Sequence, residues 1–360
     1  MDPIWLLALL PLAVLSGWLA ASRTRLQAQR HVISGRISES YYRSINFLAN
    51  DQHDQALEIL AKALEDHGES MEIQLALGSL FRRRGEIERA TQIHQSLIAR
   101  PGLSSDQKSE VLFELASDYF KAGLLDRAEN LLLELGAGDG FRESALRLLV
   151  QIYESEKEWE RAIAAGSQLD RLTAETWGPV IAQYYCELGE RDLNAGDYEG
   201  AKLRSDDALK LNRKCARAVI LGGRLDALAG RHCQAVEAWG RLGDDHPERL
   251  HEVARLVQTS SENMGEPEIY AEFLNRAVEA SSDERLQLLL VDYFSKQGRT
   301  EDAEAQLLTW VEENASLSGL HRLLEIRVDR ELGAASERDY QLVRKVTGKL
   351  LADRTGYECR

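Results

Sequence analysis

The chain has 360 residues, of which 44% are hydrophobic and 29% charged, with only six prolines and a formal net charge of −15. That acidity argues against general nucleic-acid binding, because a duplex is repelled rather than attracted. The four cysteines, Cys186, Cys215, Cys233 and Cys359, form no CxxC and no short-spaced framework, so free thiols in a reducing compartment are expected.

Ile4 to Ala21, IWLLALLPLAVLSGWLAA, is an apolar run of 18 residues, long enough as a helix to span most of a ~30 Å hydrocarbon core. A cleaved signal peptide is the rival reading, and the flanks oppose it. No Lys or Arg precedes the run, whereas Arg23, Arg25, Arg30 and Arg36 follow it with no acid between Asp2 and Glu39. The positive-inside rule then places the N-terminus outside and everything after Arg23 in the cytoplasm. Residues 23–38 read as a basic juxtamembrane connector lying near an anionic leaflet; a plain stop-transfer flank and a partner-binding face are the alternatives.

From residue 39 onward the sequence is built of helical hairpins. Leu77 to Leu97, LGSLFRRRGEIERATQIHQSL, shows the unit most clearly. Leu77, Leu80 and Phe81 give one half an apolar face, Ile87, Ala90, Ile93 and Leu97 give the other, and Gly85 reverses the chain between them. A Gly followed five residues later by Ala recurs at Gly85/Ala90, Gly123/Ala128, Gly196/Ala201, Gly230/Ala235 and Gly298/Ala303, while Ala56 and Ala162 keep the register without the Gly. Steps of 34, 38, 34, 39 and 34 between successive anchors from Ala56 to Ala235 are the tetratricopeptide-repeat period. Gly78, Ala116, Gly189 and Gly223, each twelve residues before an anchor, are expected to let helix A of a hairpin approach the anchor alanine on helix B. The predicted fold is therefore all-α: a tetratricopeptide-repeat superhelix, an α-solenoid, behind one N-terminal transmembrane helix.

In chain order this gives an anchor at 1–22, the connector at 23–38 and a repeat array of about eight hairpins over 39–315. PGLSSDQ and RLTAETWGP supply the extra residues of the two longer steps. The pattern degrades over 251–282, where Ile269 occupies the anchor phase and Phe273 and Leu274 face inward. Capping helices at 316–352 and a short tail at 353–360 complete the chain. The GAGDG run at Gly136 to Gly140 follows a helix rather than a strand, so it reads as a turn between repeats and not as a phosphate loop.

No catalytic constellation emerges. His251-Glu252 lacks a second His one turn on, there is no GxSxG elbow, and paired carboxylates such as Glu86/Glu88 sit on amphipathic helices where a solvated face is the simpler reading. The chain reads as a binding device, not an enzyme. Projecting the repeat phase onto helix A, which lines the groove of such arrays, selects Arg82, Arg83, Phe120, Lys121, Glu154, Arg217 and Arg224. Mixed charge with an aromatic suits an extended peptide or a protein loop, and ordinary solvated surface is the competing reading for each. His94 stands on helix B where the phase calls for a large apolar residue, and reads as a packing histidine.

An apolar anchor, a basic connector and this array resemble the lipopolysaccharide assembly protein B family. The segments that carry the likeness are NFLANDQHDQA (Asn46 to Ala56), LGSLFRRRGEIERATQIHQSL, DYFKAGLLDRAE (Asp118 to Glu129) and YYCELG (Tyr184 to Gly189). The resemblance implies a single-pass protein of the bacterial inner membrane, with a periplasmic N-terminus and cytoplasmic repeats. It implies an adaptor that delivers the deacetylase LpxC to the protease FtsH, opposed by the inner-membrane protein YejM/PbgA; a homodimer is also open. A scaffold that gathers lipopolysaccharide synthesis and export proteins without controlling proteolysis is the alternative. Members of this family end in a rubredoxin-like module of two CxxC pairs. Cys359, in YECR, matches the first metal ligand, so by this resemblance 353–360 read as the start of a truncated module, with no cofactor expected in this chain and iron or zinc only where the other three thiolates are present.

Overall fold

The structure, a computed structural model, describes residues 70–135 and 140–331, with isolated helical residues between 55 and 62 and between 341 and 347. The apolar run at 4–21, the connector arginines Arg23, Arg25, Arg30 and Arg36, Ala56 and Cys359 lie outside the described residues. The chain divides into two compact units, Met1–Glu175 and Thr176–Arg360, and the boundary falls within RLTAETWGP.

In the first unit three hairpins follow one another: α1 (Met71–Arg83) with α2 (Ile87–Ile98), α3 (Ser105–Lys121) with α4 (Leu125–Leu135), and α5 (Arg142–Glu156) with α6 (Trp159–Leu172). The second unit continues with α7 (Gly178–Asn194) and α8 (Tyr198–Leu211), then α9 (Ala216–Leu228) and α10 (His232–Gly240), followed by the short α11 (Leu242–Asp245). Next come α12 (Leu250–Met264) with α13 (Glu268–Ala280), α14 (Glu284–Lys296) with α15 (Thr300–Asn314), and α16 (Leu317–Glu331). Each hairpin buries one face of both helices, and that face is completed by the next hairpin, which is why neighbouring helices A also touch within a unit. The extra residues of PGLSSDQ form a turn at Gly102 and end in Ser104, whose hydroxyl and the Gln107 side chain satisfy each other's backbone N–H groups in a capping box.

The predicted anchors are in place. Ala90, Ala128, Ala162, Ala201, Ala235 and Ala303 are all fully buried. The glycines five residues before them end helix A in the left-handed region, with φ between 73° and 82° at Gly85, Gly123, Gly196, Gly230 and Gly298. In each case the next N–H reaches back to a carbonyl five residues earlier, as from Glu86 to Phe81 and Leu124 to Tyr119. At the repeat without a Gly, Lys157 takes the same conformation, φ 58° and ψ 29°, and Glu158 donates to the Tyr153 carbonyl at 2.8 Å. The hairpin geometry thus overrides the preference of an ordinary side chain, at a cost of about 1–2 kcal/mol. Lys157→Gly is therefore expected to stabilise the protein by up to about 1 kcal/mol after the entropy of a new glycine is counted. Gly196→Lys should lose about 1–2 kcal/mol, because a Cβ there meets nothing within 4 Å and only the backbone objects. Urea midpoints of the two variants check this, and a destabilised Lys157→Gly would contradict it.

Two expectations change in detail. The small residues twelve before an anchor make room chiefly for the side chain four residues after it. A Cβ on Gly78 would lie 2.3 Å from His94 Nε2, and one on Gly223 would lie 2.3 Å from Trp239 Nε1. At Gly189 the neighbours are Leu221 Cδ2 and, at 3.5 Å, the Ala201 carbonyl. In the degraded repeat the buried anchor is Tyr270, not Ile269. Gly265 ends α12 with φ 73°, and the five-residue spacing from that turn leads to Tyr270, whose ring meets Tyr293 edge-on at 5.7 Å. Phe273 and Leu274 are buried as expected.

A second periodic device joins the two helices of a hairpin. The arginine before the anchor stacks on an aromatic of helix A eight residues earlier: Arg89 on Phe81 at 3.9 Å, Arg127 on Tyr119 at 5.8 Å and Arg161 on Tyr153 at 4.3 Å. Burial, with the nearby Glu156 charge, pushes the Tyr153 hydroxyl above its ordinary pKa, and that hydroxyl donates to Glu129.

Candidate partner-binding face

Successive helices A are stitched together by polar contacts about one repeat apart in sequence. In the first unit Arg82 of α1 reaches α3, where its guanidinium donates to Glu114 Oε2 at 2.6 Å, to the Glu114 carbonyl at 3.2 Å and to Asp118 Oδ1 at 2.8 Å. The other oxygen of Asp118 lies 2.6 Å from His94 Nδ1, and both of those side chains are fully enclosed. Burial works against the Arg82 charge, but the two acids outweigh it and raise its pKa further. Ser79 adds a hydrogen bond to Glu114. Next to this network Glu110 is pushed above the usual carboxylate range by burial and by the like charges of Glu114 and Glu72.

The second unit repeats the principle. Arg217 of α9 pairs with Glu187 of α7 at 2.8 Å, and Arg224 about two turns further on holds both oxygens of Glu190 at 2.8 and 2.9 Å. His251 of α12 faces Asp283 at the start of α14, Arg285 holds the Asp283 carboxyl below its ordinary pKa, and Arg322 of α16 pairs with Asp292 of α14. In the second unit the pairs made by Arg217, Arg224 and Arg322 are about one-third exposed and form a wall of alternating charge that a polar chain can reach, whereas the Arg82 and His94 pairs of the first unit are largely enclosed.

The seven residues projected onto the helix-A face differ in their surroundings. Arg82 is not available: it is committed to Glu114 and Asp118, and sits in the seam between repeats rather than on open surface. Arg217 and Arg224 lie on the wall with one partner each. Arg83 is exposed at the end of α1, and Lys121 is exposed with its ammonium 5.9 Å from the half-buried Phe120 ring. Glu154 is exposed near the end of α5. Arg82, Arg83, Phe120, Lys121 and Glu154 belong to the first unit, and Arg217 and Arg224 to the second. His94 does pack, as the phase implied, but it also carries the hydrogen bond to Asp118 while its Nε2 has no partner. The acids that pair with Arg82, Arg217 and Arg224, namely Glu114, Asp118, Glu187 and Glu190, were missed. Their signal was opposite charge displaced by roughly one repeat from each chosen arginine. Among the described residues no group of three or more His, Cys, Asp or Glu side chains converges on a point where a metal could sit.

Hairpins in this register define an all-helical tetratricopeptide-repeat protein, and a tetratricopeptide-repeat family model matches residues 43–102. Over nearly its whole length the chain is similar to Lipopolysaccharide assembly protein B of Escherichia coli (strain K12), 29% identical over 355 residues that cover 99% of this chain and 91% of that protein. The protein of the same name from Haemophilus influenzae is 28% identical, with 98% and 91% covered. A solved structure of Pseudomonas aeruginosa PilF aligns at 19% identity and a TM-score of 0.38, covering 60% of this chain and 94% of its own.

Proposed function

We propose that the chain is a non-catalytic, membrane-anchored adaptor of lipopolysaccharide assembly. The observation that carries this reading is the similarity to Lipopolysaccharide assembly protein B along almost the entire chain, repeats included. The helix-A wall supports it. Its partly exposed charges are held in pairs, so a client loop can exchange partners with them while the apolar core behind stays shut. In this reading the run from Ile4 to Ala21 holds the repeats at the cytoplasmic side of the inner membrane, and anchoring raises the local concentration of a soluble client beside a membrane protease. The client is LpxC, the protease is FtsH, and YejM/PbgA opposes delivery.

Crosslinking in intact membranes tests the contacts. The full chain should capture both LpxC and FtsH, and a double charge reversal, Arg217→Glu with Arg224→Glu, should weaken LpxC capture. Because both ion pairs are about one-third exposed, the reversal should leave the melting temperature within a few degrees. Capture of export proteins with neither LpxC nor FtsH would favour a scaffold instead.

A further inference from the structure

Cys186 and Cys215, which the proposed function does not use, meet in the second unit. Cys186 lies in the middle of α7, and Cys215 is the residue that caps the start of α9. Their sulfurs are 3.6 Å apart, only 1% and 2% of the two residues is exposed, and Ala182, Ala208 and Ala218 surround them. Neither is disulfide-bonded. The two sulfurs are not equivalent. Cys215 sits at a helix N-terminus, and Gln183 Nε2 donates to it at 3.5 Å. The contact with Cys186 and the backbone N–H groups of the first turn of α9 lower its pKa, while the same contact and burial raise that of Cys186. Of the two, Cys215 is therefore the sulfur that ionises more readily.

We infer that Cys186 and Cys215 form a reversible oxidation site, in which a small peroxide converts the pair to a disulfide that ties helix A of one repeat to helix A of the next. The Cys215 thiolate attacks one peroxide oxygen; the S–O bond forms, the O–O bond breaks, and hydroxide leaves to be protonated by solvent. The Cys186 sulfur then attacks the Cys215 sulfenic acid. The S–S bond forms, the S–O bond breaks, and the departing hydroxide takes the Cys186 proton and leaves as water. Two thiols give up two electrons and the peroxide becomes two waters. Bond formation needs the sulfurs to close from 3.6 Å to about 2 Å. Enclosure of both sulfurs favours a small peroxide over bulky reagents. Exposed Cys233, which lies against the Met264 sulfur, is the internal contrast. The bond would close a loop containing all of α8 and fix the spacing of the segments that carry Glu187 and Arg217.

The test treats the purified full chain with hydrogen peroxide, blocks remaining thiols with iodoacetamide, and maps peptides without reduction. Peptides containing Cys186 and Cys215 should appear linked, the melting temperature should rise by about 5 °C or more, and dithiothreitol should reverse both changes. In Cys186→Ser, Cys215 should instead be labelled by dimedone when the peroxide-treated protein is unfolded in urea, with no linked peptides and no thermal gain. Unlinked peptides under conditions that oxidise Cys233 would overturn the inference, and so would a thermal gain that survives in Cys186→Ser.

Discussion

Asp118→Ala is expected to destabilise the first unit by about 3–5 kcal/mol, far more than removal of any exposed charge in the chain. Asp118 is fully buried and serves two neighbours from different helices, His94 of α2 and Arg82 of α1. Without it the guanidinium, only 16% exposed, keeps Glu114 alone, and the His94 ring loses its one hydrogen bond while Nε2 already has none. Asp118→Asn keeps the shape and one acceptor, so it should lose clearly less. The check is the urea midpoint at constant slope, which isolates stability from changes in the unfolded chain. Equal, small losses in the two variants would show that the network contributes little. The same geometry means that reversing the Arg82 charge tests folding, not partner binding.

The second large effect lies at the joint between α9 and α10. Trp239 is fully buried over Gly223, and its indole N–H donates to the Ile220 carbonyl at 3.2 Å. Trp239→Ala removes one of the largest enclosed side chains in the core and should cost about 3–5 kcal/mol. Gly223→Ala approaches the same contact from the other side. Its methyl would fall 2.3 Å from the indole nitrogen, so the helices must part, at about 1–3 kcal/mol. Because both changes act on one contact, combining Gly223→Ala with Trp239→Leu should cost less than the sum of the two single variants. Strict additivity in thermal melts would mean that the glycine serves some other purpose.

These sites show what the sequence could and could not disclose. The Gly–Ala spacing led directly to hairpin turns and buried anchors, since both are local: a left-handed residue and a small residue five positions on. Lys157 was legible only as a register position. Nothing in lysine itself announces a left-handed turn, and the hairpin imposes it. Tyr270 was missed because counting 34 from Ala235 ignores the single residue inserted before Gly265; counting five from that glycine finds it. Arg82 was assigned to the groove because helix phase gives a direction but no neighbour. Its partners lie 32 and 36 residues away in the next repeat, and only packing shows that they close over it. The cysteine pair was invisible for the same reason, as 29 residues separate two thiols that share one pocket.

The pulse-chase half-life of LpxC in cells depleted of this protein tests the adaptor reading most directly. Delivery to FtsH predicts a lengthened half-life, a raised LpxC level and excess lipopolysaccharide, all restored by the intact chain but not by one lacking residues 1–22, whose repeats fold yet no longer sit beside the protease. An unchanged LpxC half-life on depletion, with lipopolysaccharide assembly disturbed, would contradict delivery and leave the chain a scaffold.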